Sequence, residues 1–223
     1  MRQFPSQIFR SREREIHQYA GYNAAQVFNV HEGENSFQSL TAFKEMALQP
    51  RQFVEFNSNN EAFIVIPLVG ALEYQDGHDK TKTAVPGETV CFSFSQTHLK
   101  FCNPYDKESV IFLVVSFSQE SFTERTETDA IELDVRNKLH AFVSGLKQVN
   151  GYIGIYDGRK EEFYQLQNPQ NTLLLFVISG AFEVSGRLLE ERDVLSVWDC
   201  EEIDIEALSE NAVILLIEVC KAS

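Results

Sequence analysis

The sequence lacks any apolar run long enough to cross a membrane. A membrane helix needs roughly 18 consecutive apolar residues, whereas the longest runs here, at positions 111–115 and 212–217, have the length of buried strands. Residues 1–10 also lack the apolar stretch of a secretory signal. We therefore expect no membrane partner and a cytoplasmic location.

Paired cysteines and common catalytic motifs are also lacking. The four cysteines, at positions 91, 102, 200 and 220, include no Cys-x-x-Cys pair. Without a secretory signal, such cysteines are typical of free or buried thiols in a reducing compartment. No Gly-x-Ser-x-Gly, Gly-x-x-x-x-Gly-Lys or Gly-x-Gly-x-x-Gly sequence occurs. The chain therefore gives no support to a hydrolase nucleophile or a phosphate-binding loop.

Positive charge is scarce. Nineteen Lys and Arg face 33 Asp and Glu, for a formal net charge of −14. Because binding to phosphates requires a basic surface, this balance argues against a nucleic-acid partner. The excess of acid is greatest in residues 151–223, which hold 14 acidic and 5 basic residues.

Apolar residues, by contrast, are abundant and follow the period of strands. Of all residues 43% are hydrophobic, and 18 are Phe, which is enough for a substantial core. Strands are predicted from alternation or from short apolar runs at residues 40–48, 62–68, 90–94 and 110–117. Asp76-Gly77 and Pro86-Gly87 predict turns between them. Residues 134–146 fit both a capped helix and a strand, and periodicity leaves both open.

An internal repeat divides the chain. Residues 66–74 (IPLVGALEY) run parallel to residues 176–184 (FVISGAFEV), and each copy has an apolar strand, then Gly-Ala, an apolar residue and Glu. Gly70 and Gly180 lie 110 positions apart. Each copy continues through turns and finishes with a second apolar strand. A duplicated unit of about 100 residues, built from strands and turns, is typical of two small β-barrels or sandwiches in one chain.

The order of these motifs resembles the pirin family of two-cupin proteins. The resemblance rests on residues 64–74, the Pro86-Gly87-Glu88 turn, residues 137–144 followed by 152–157, and residues 173–219. It implies an all-β chain of two tandem cupin (jelly-roll β-barrel) domains, with a strand rather than a helix over 137–144. It places an N-terminal cupin domain at 1–120, a linker at 121–136 and a C-terminal cupin domain at 137–223.

The resemblance also implies where a metal site would lie. In pirins two His precede the strand that ends in Gly, and a third His and a Glu follow the Pro-Gly-Asp turn. Counted from Gly70 and Gly87, the four ligand positions in this chain are Phe56, Ser58, Lys100 and Cys102. A phenyl ring offers no lone pair and an ammonium group repels a divalent cation. We therefore predict a degenerate metal site and no cofactor.

His98 has the same parity as Lys100 and Cys102, so all three would share one face of a strand. We expect the former metal pocket to be lined by Phe56, Ser58, His98, Lys100 and Cys102. A metal site of different composition would combine His98 and Cys102 with Glu55 or Glu61. We also hypothesise that Lys100 points inward and contacts an anionic ligand or pairs with one of these two carboxylates.

Two classes of function follow from the resemblance. Pirins include proteins with quercetin 2,3-dioxygenase activity, and the loss of metal ligands argues against that chemistry here. We therefore favour a non-catalytic bicupin that binds a small molecule or a protein partner, a role that the acidic C-terminal region would suit. The alternative is a metal-dependent oxidoreductase of the quercetin 2,3-dioxygenase kind that uses an unrecognised site.

Overall fold

A computed structural model describes residues 4–27, 39–77, 80–118, 125–142 and 149–220. Within the strands, the side chains of residues 58–60, 94–97 and 125 are not described. In these ranges the chain forms nineteen strands and a single turn of 3₁₀ helix, Ser11–Glu13. None of the helical structure in the described ranges could span a membrane. The predicted all-β fold is confirmed.

The strands follow one another along the chain with short connections. They are β1 (Ser6–Phe9), β2 (Ile16–Tyr19), β3 (Tyr22–Gln26), β4 (Leu40–Leu48), β5 (Phe53–Val69), β6 (Leu72–Gln75), β7 (Lys82–Ala84), β8 (Glu88–Cys102), β9 (Val110–Ser118), β10 (Arg125–Ala130), β11 (His140–Phe142), β12 (Val149–Tyr156), β13 (Glu161–Gln165), β14 (Thr172–Ser179), β15 (Phe182–Val184), β16 (Arg187–Leu189), β17 (Val194–Val197), β18 (Glu202–Ala207) and β19 (Ala212–Val219).

The first of two compact units, which we call the N-terminal unit, contains the described residues of 14–130. Its strands form one sheet in the order β2-β3-β4-β9-β5-β8-β6-β7, and β10 pairs with β8. The two longest strands, β5 and β8, are antiparallel neighbours over almost their whole length. One apolar cluster receives buried side chains from β4, β5, β6, β8 and β9. Residues on the opposite face of β5 and β9, such as Ile64 and Val115, are buried as well.

The second unit, the C-terminal unit, contains residues 4–13, Ile131–Phe142 and 149–220. It has a six-stranded sheet in the order β1-β17-β14-β19-β12-β11 and a four-stranded sheet in the order β13-β18-β15-β16. Inward side chains from both sheets share one apolar cluster. This arrangement of two sheets over a common core is that of a β-sandwich.

The structure divides the chain differently from the predicted boundaries of 1–120, 121–136 and 137–223. Residues 4–13 belong to the C-terminal unit, because β1 pairs antiparallel with β17. Residues 125–130, predicted as part of a linker, form β10 and pair with β8. The remainder of the predicted linker consists of residues 121–124, which lie outside the described residues, and residues 131–136, which belong to the C-terminal unit.

Both copies of the sequence repeat have the same local structure. Gly70 follows β5 and Gly180 follows β14, with φ angles of 77° and 79° that favour glycine. A Cβ atom at Gly180 would also meet the Ser209 hydroxyl at 2.4 Å. The strand predicted over 137–144 forms at His140–Phe142 only: residues 137–139 precede it, with a bend at 137–138 and Asn137 at a φ of 61°, and residues 143–144 lie outside the described part.

A buried carboxylate fixes the N-terminal segment to the C-terminal unit. Asp193, which immediately precedes β17, accepts hydrogen bonds from the Arg10 guanidinium at 2.6 Å and the Ser11 N–H at 2.8 Å. The Glu190 N–H donates to the same group at 3.1 Å. Burial by itself raises the pKa of Asp193, but these donors outweigh burial and hold its pKa below the ordinary 3.8.

We expect Asp193→Asn to lower the free energy of unfolding by about 1–3 kcal/mol, because an amide cannot accept from all of these donors. Amide hydrogen exchange of Gln7 and Ile8 in β1 should accelerate in the same variant. Because the folded-state pKa is depressed, the difference from the wild type should shrink as the pH falls below 3.8. Asp106→Asn, at an exposed ion pair with Arg51, is the control and should change little. Unchanged exchange in β1 would contradict the anchoring role.

Candidate functional site

All five candidate positions lie on β5 and β8, and the pairing register of these strands fixes which way they point. Phe56 lies opposite Leu99, and Glu55 lies opposite Lys100. Directly opposed residues share a face, and successive residues alternate between faces. Phe56 and Leu99 therefore face one side of the sheet, whereas Lys100 faces the other.

The inward side is aromatic. Phe56 is half-buried, and its ring makes edge contacts with Phe63 and Phe101 at centroid distances of 6.1 and 5.6 Å. Phe101 is buried and also contacts Phe92 and Phe112, at 5.8 and 5.6 Å. These rings, together with Leu99, belong to the core of the N-terminal unit. Phe56 thus extends a packed aromatic core.

The outward side holds the other polar candidates. The exposed His98 ring shares a hydrogen bond of 2.7 Å between its Nδ1 and Oδ1 of Asn57. The Lys100 ammonium lies 4.2 Å from the centroid of the Phe53 ring, a cation–π contact. Lys100 forms no ion pair with a described residue. Lys100 therefore faces away from Phe56 and lies beside Glu55 of the neighbouring strand, and its contact with an anionic ligand stays a prediction.

Cys102 lies on the same outward side. Burial raises the pKa of its thiol, and the positive charge of Lys100 only partly opposes this effect. The expectation that Cys102, Lys100 and His98 share a face is confirmed, but this face is the outside of the sheet. They therefore do not line an interior pocket. Ser58 lies opposite Thr97 in the ladder, and its side chain is outside the described part.

The register separates Lys100 and Cys102 from the face that holds Phe56. The residues of β8 that face inward beside Phe56 are Leu99 and Phe101, one position before Lys100 and Cys102. None of the three inward side chains carries an atom that could coordinate a metal. Among the described side chains, no group of three or more His, Cys, Asp or Glu could hold a metal ion, which includes the combination of His98, Cys102 and Glu55 or Glu61. The described donors do not fit the cupin metal.

The C-terminal unit contains a buried polar cluster that the sequence analysis did not identify. Glu218 on β19 is fully buried, and its carboxylate accepts hydrogen bonds from the Tyr164 hydroxyl, the Gln167 N–H at 2.9 Å and the Asn171 amide at 2.6 Å. No described Lys, Arg or His forms an ion pair with it. Because a buried charge is tolerated only when its oxygens are satisfied, these three neutral donors are what stabilise Glu218.

A second tyrosine–carboxylate pair lies in the same unit. Tyr156 donates to Glu162, which also accepts from the Leu139 N–H at 2.9 Å. Burial, reinforced by the carboxylate partner, raises the pKa values of both Tyr156 and Tyr164, so both phenols stay protonated. Each pair joins the six-stranded sheet to the four-stranded sheet, because β12 and β19 belong to one and β13 to the other. A Glu within the apolar run 212–219 was the available signal in the sequence.

The two cysteines near Glu218, Cys200 and Cys220, are not suited to act as nucleophiles. Burial, together with the charges of Glu218 and Asp199, raises the pKa of Cys200 to about 11. Burial also raises the pKa of Cys220. Because the thiolate is the nucleophilic form, both thiols are weak nucleophiles at neutral pH.

We expect Phe56→Ala to lower the free energy of unfolding by about 2–4 kcal/mol, since it removes a ring from an aromatic core. Phe53→Ala is the matched control, because Phe53 points outward and is half exposed, and it should cost less than about 1 kcal/mol. Urea unfolding of both variants measures the difference. Equal costs would contradict the assignment of Phe56 to the inward face.

We expect Tyr164→Phe to lower the free energy of unfolding by about 1–3 kcal/mol, because the buried Glu218 carboxylate loses a donor. Tyr19→Phe, which removes a hydroxyl from an exposed side chain, is the control and should be neutral. Thermal and urea unfolding report the change. A neutral Tyr164→Phe would mean that the hydroxyl does not stabilise the carboxylate.

Comparison with known proteins shows that the chain is similar to cupins. Residues 146–219 match the model of the quercetinase C-terminal cupin domain. No curated protein matches the sequence of the chain. Among solved structures, YhhW from Escherichia coli has 16% identity and a TM-score of 0.85, covering 98% of this chain and 99% of that one.

Other solved structures agree on the fold. A second structure of YhhW from Escherichia coli, a bacterial pirin in complex with nickel(II), also has 16% identity and a TM-score of 0.85. The match covers 98% of this chain and 100% of that one. Quercetin 2,3-dioxygenase from Acinetobacter baumannii has 12% identity and a TM-score of 0.77, with 98% of this chain and 79% of that one covered. These likenesses show that the chain has the two-cupin fold over nearly its whole length, and residues 146–219 are similar to the quercetinase C-terminal cupin domain.

Proposed function

We propose that this pirin-like bicupin acts by binding, to a small molecule or a protein partner, and that its N-terminal unit does not hold a catalytic metal. The observation that supports this proposal is the identity of the inward side chains. Phe56, Leu99 and Phe101 stand together on β5 and β8, and none of them has a lone pair for a metal ion.

The chemistry of the relatives makes that observation decisive for the proposal. Dioxygenation of a flavonol by a cupin depends on a metal that binds substrate or oxygen at an open coordination position. Histidine and carboxylate groups are what such a metal requires, whereas Phe56, Leu99 and Phe101 offer two phenyl rings and an isobutyl group. The likeness to a bacterial pirin in complex with nickel(II) and to a quercetin 2,3-dioxygenase therefore supports the fold more than the activity.

Packing in the N-terminal unit favours a protein partner over a small molecule. Five aromatic rings, those of Phe56, Phe63, Phe92, Phe101 and Phe112, form a connected group of contacts that branches at Phe101 and fills part of the core. The four cysteines are free, which fits the cytoplasm. The net charge of −14 favours a partner other than nucleic acid.

The proposal predicts that the protein retains far less than one equivalent of metal per chain. We would incubate the purified, tag-free protein with Fe, Ni, Cu, Mn or Zn, remove free ions, and measure bound metal by elemental analysis. The bacterial pirin from Escherichia coli, handled in parallel with nickel, is the positive control. Stoichiometric metal in our chain would overturn the proposal.

An activity assay separates the proposal from its alternative. Oxygen consumption with quercetin should stay at the background rate in the metal-treated protein, while the enzyme from Acinetobacter baumannii, used as the positive control, consumes oxygen. Turnover above background that survives removal of unbound metal would establish the alternative, a quercetin 2,3-dioxygenase-like oxidoreductase using an unrecognised site.

A further inference from the structure

The outer face of the four-stranded sheet in the C-terminal unit carries an unusual set of side chains. Cross-strand pairing places Glu161 opposite Glu206, and Glu206 in turn opposite Glu183. The neighbouring row begins with Phe163 opposite Asp204. Their alternate neighbours, such as Tyr164 and Ile205, are buried in the core, so these residues point outward. We call this surface the acidic face.

Two large apolar side chains stand on the outer strands of the acidic face. Phe163 on β13 is 63% exposed and Leu188 on β16 is 51% exposed. Leu188 ends the row that contains the three Glu residues, because it pairs with Glu183. Three strand spacings separate β13 from β16, so the two apolar side chains lie roughly 15 Å apart with carboxylates between them.

The row of carboxylates is electrostatically unfavourable in the free protein. Like charges directly opposite each other on adjacent strands destabilise a sheet. Glu206 has one cationic partner, the mostly exposed Arg159 at 3.1 Å, and such a surface pair contributes little. Glu161 and Glu183 form no ion pair with a described residue. A cation placed over this row would relieve the repulsion between its members.

We propose that the acidic face docks a basic segment of a protein partner, in which Lys or Arg residues are flanked by two apolar side chains. The argument is complementarity: the basic centre would lie over Glu161, Glu206 and Glu183, and the apolar ends would cover Phe163 and Leu188. An extended chain spans roughly 15 Å in four to five residues. This proposal deepens the binding role described above and rests on it.

The spacing gives the segment a defined pattern. In an extended peptide that crosses the strands, an apolar residue, a basic residue two positions later and a second apolar residue four positions after the first all face the sheet. A small cation or a polyamine would satisfy the carboxylates alone and would leave both apolar side chains exposed. The peptide explains both features of the surface.

The test uses the full chain and a labelled synthetic peptide containing Leu-Ser-Lys-Ser-Leu with Lys on either side, followed by fluorescence anisotropy. One variant removes the acidic face: Glu161→Gln, Glu183→Gln, Phe163→Ser and Leu188→Ser. The matched control changes residues of the same kinds elsewhere: Glu13→Gln, Glu108→Gln, Ile16→Ser and Val135→Ser. Ile16 and Val135 match the two apolar residues in exposure, at 63% and 51%.

We expect the wild type to bind the peptide, the acidic-face variant to bind at least about tenfold more weakly, and the control variant to bind within about twofold of the wild type. Binding should weaken as salt is added. A second peptide, with Ser in place of both Leu, should bind more weakly than the first.

Three results would overturn the proposal: no binding of the peptide to the wild type at low ionic strength, equal losses in the two variants, or equal binding of the two peptides, which would indicate general attraction to a polyanion. Thermal unfolding checks that both variants are folded. Elemental analysis of the same wild-type preparation keeps failure of the docking proposal distinct from failure of the metal-free role.

Discussion

The pairing register between β5 and β8 is the constraint on which the candidate site depends. A strand presents alternate residues to opposite faces, so a shift of one residue exchanges every inward side chain for an outward one. With Phe56 opposite Leu99, the interior of the N-terminal unit receives phenyl rings, and Lys100 and Cys102 go to the outside. The register, more than the list of residue types near the Pro-Gly turn, decides what chemistry the interior can support.

The interiors of the two units are held together by different interactions. Edge-to-face rings fill the N-terminal unit, where Phe101 contacts three other aromatic side chains. The C-terminal unit instead joins its two sheets through Tyr156–Glu162 and Tyr164–Glu218. A buried carboxylate demands specific donors at specific positions, whereas rings tolerate several arrangements. The interior of the C-terminal unit therefore tolerates fewer changes of side-chain position than that of the N-terminal unit. Its buried polar atoms are used in structural hydrogen bonds.

Local pattern predicted the strands and the repeat well, and it failed where long-range pairing decides. Alternation and short apolar runs were enough for β4 and β9, and the Gly-Ala repeat identified β14 as the counterpart of β5. Counting from Gly87 selected Lys100 and Cys102, which lie on the face away from Phe56, because residue spacing carries no information about which face meets the core. The pairing of β1 with β17 could not be predicted from local pattern either. It is supported by hydrogen bonds from Arg10 and Ser11 to Asp193, which is about 180 residues away in the sequence.

The acidic face follows from the same division between interior and surface. Where interior side chains are committed to packing or to Tyr–Glu hydrogen bonds, the chemistry left for recognition is on the outside of the sheets. A row of three carboxylates on adjacent strands costs stability, and burial on the opposite side of the same strands offsets that cost, because Tyr164, Ile205 and Val184 are part of the core. Burial in the core thus offsets the electrostatic repulsion among the carboxylates of the acidic face, and a bound cationic segment would relieve that repulsion.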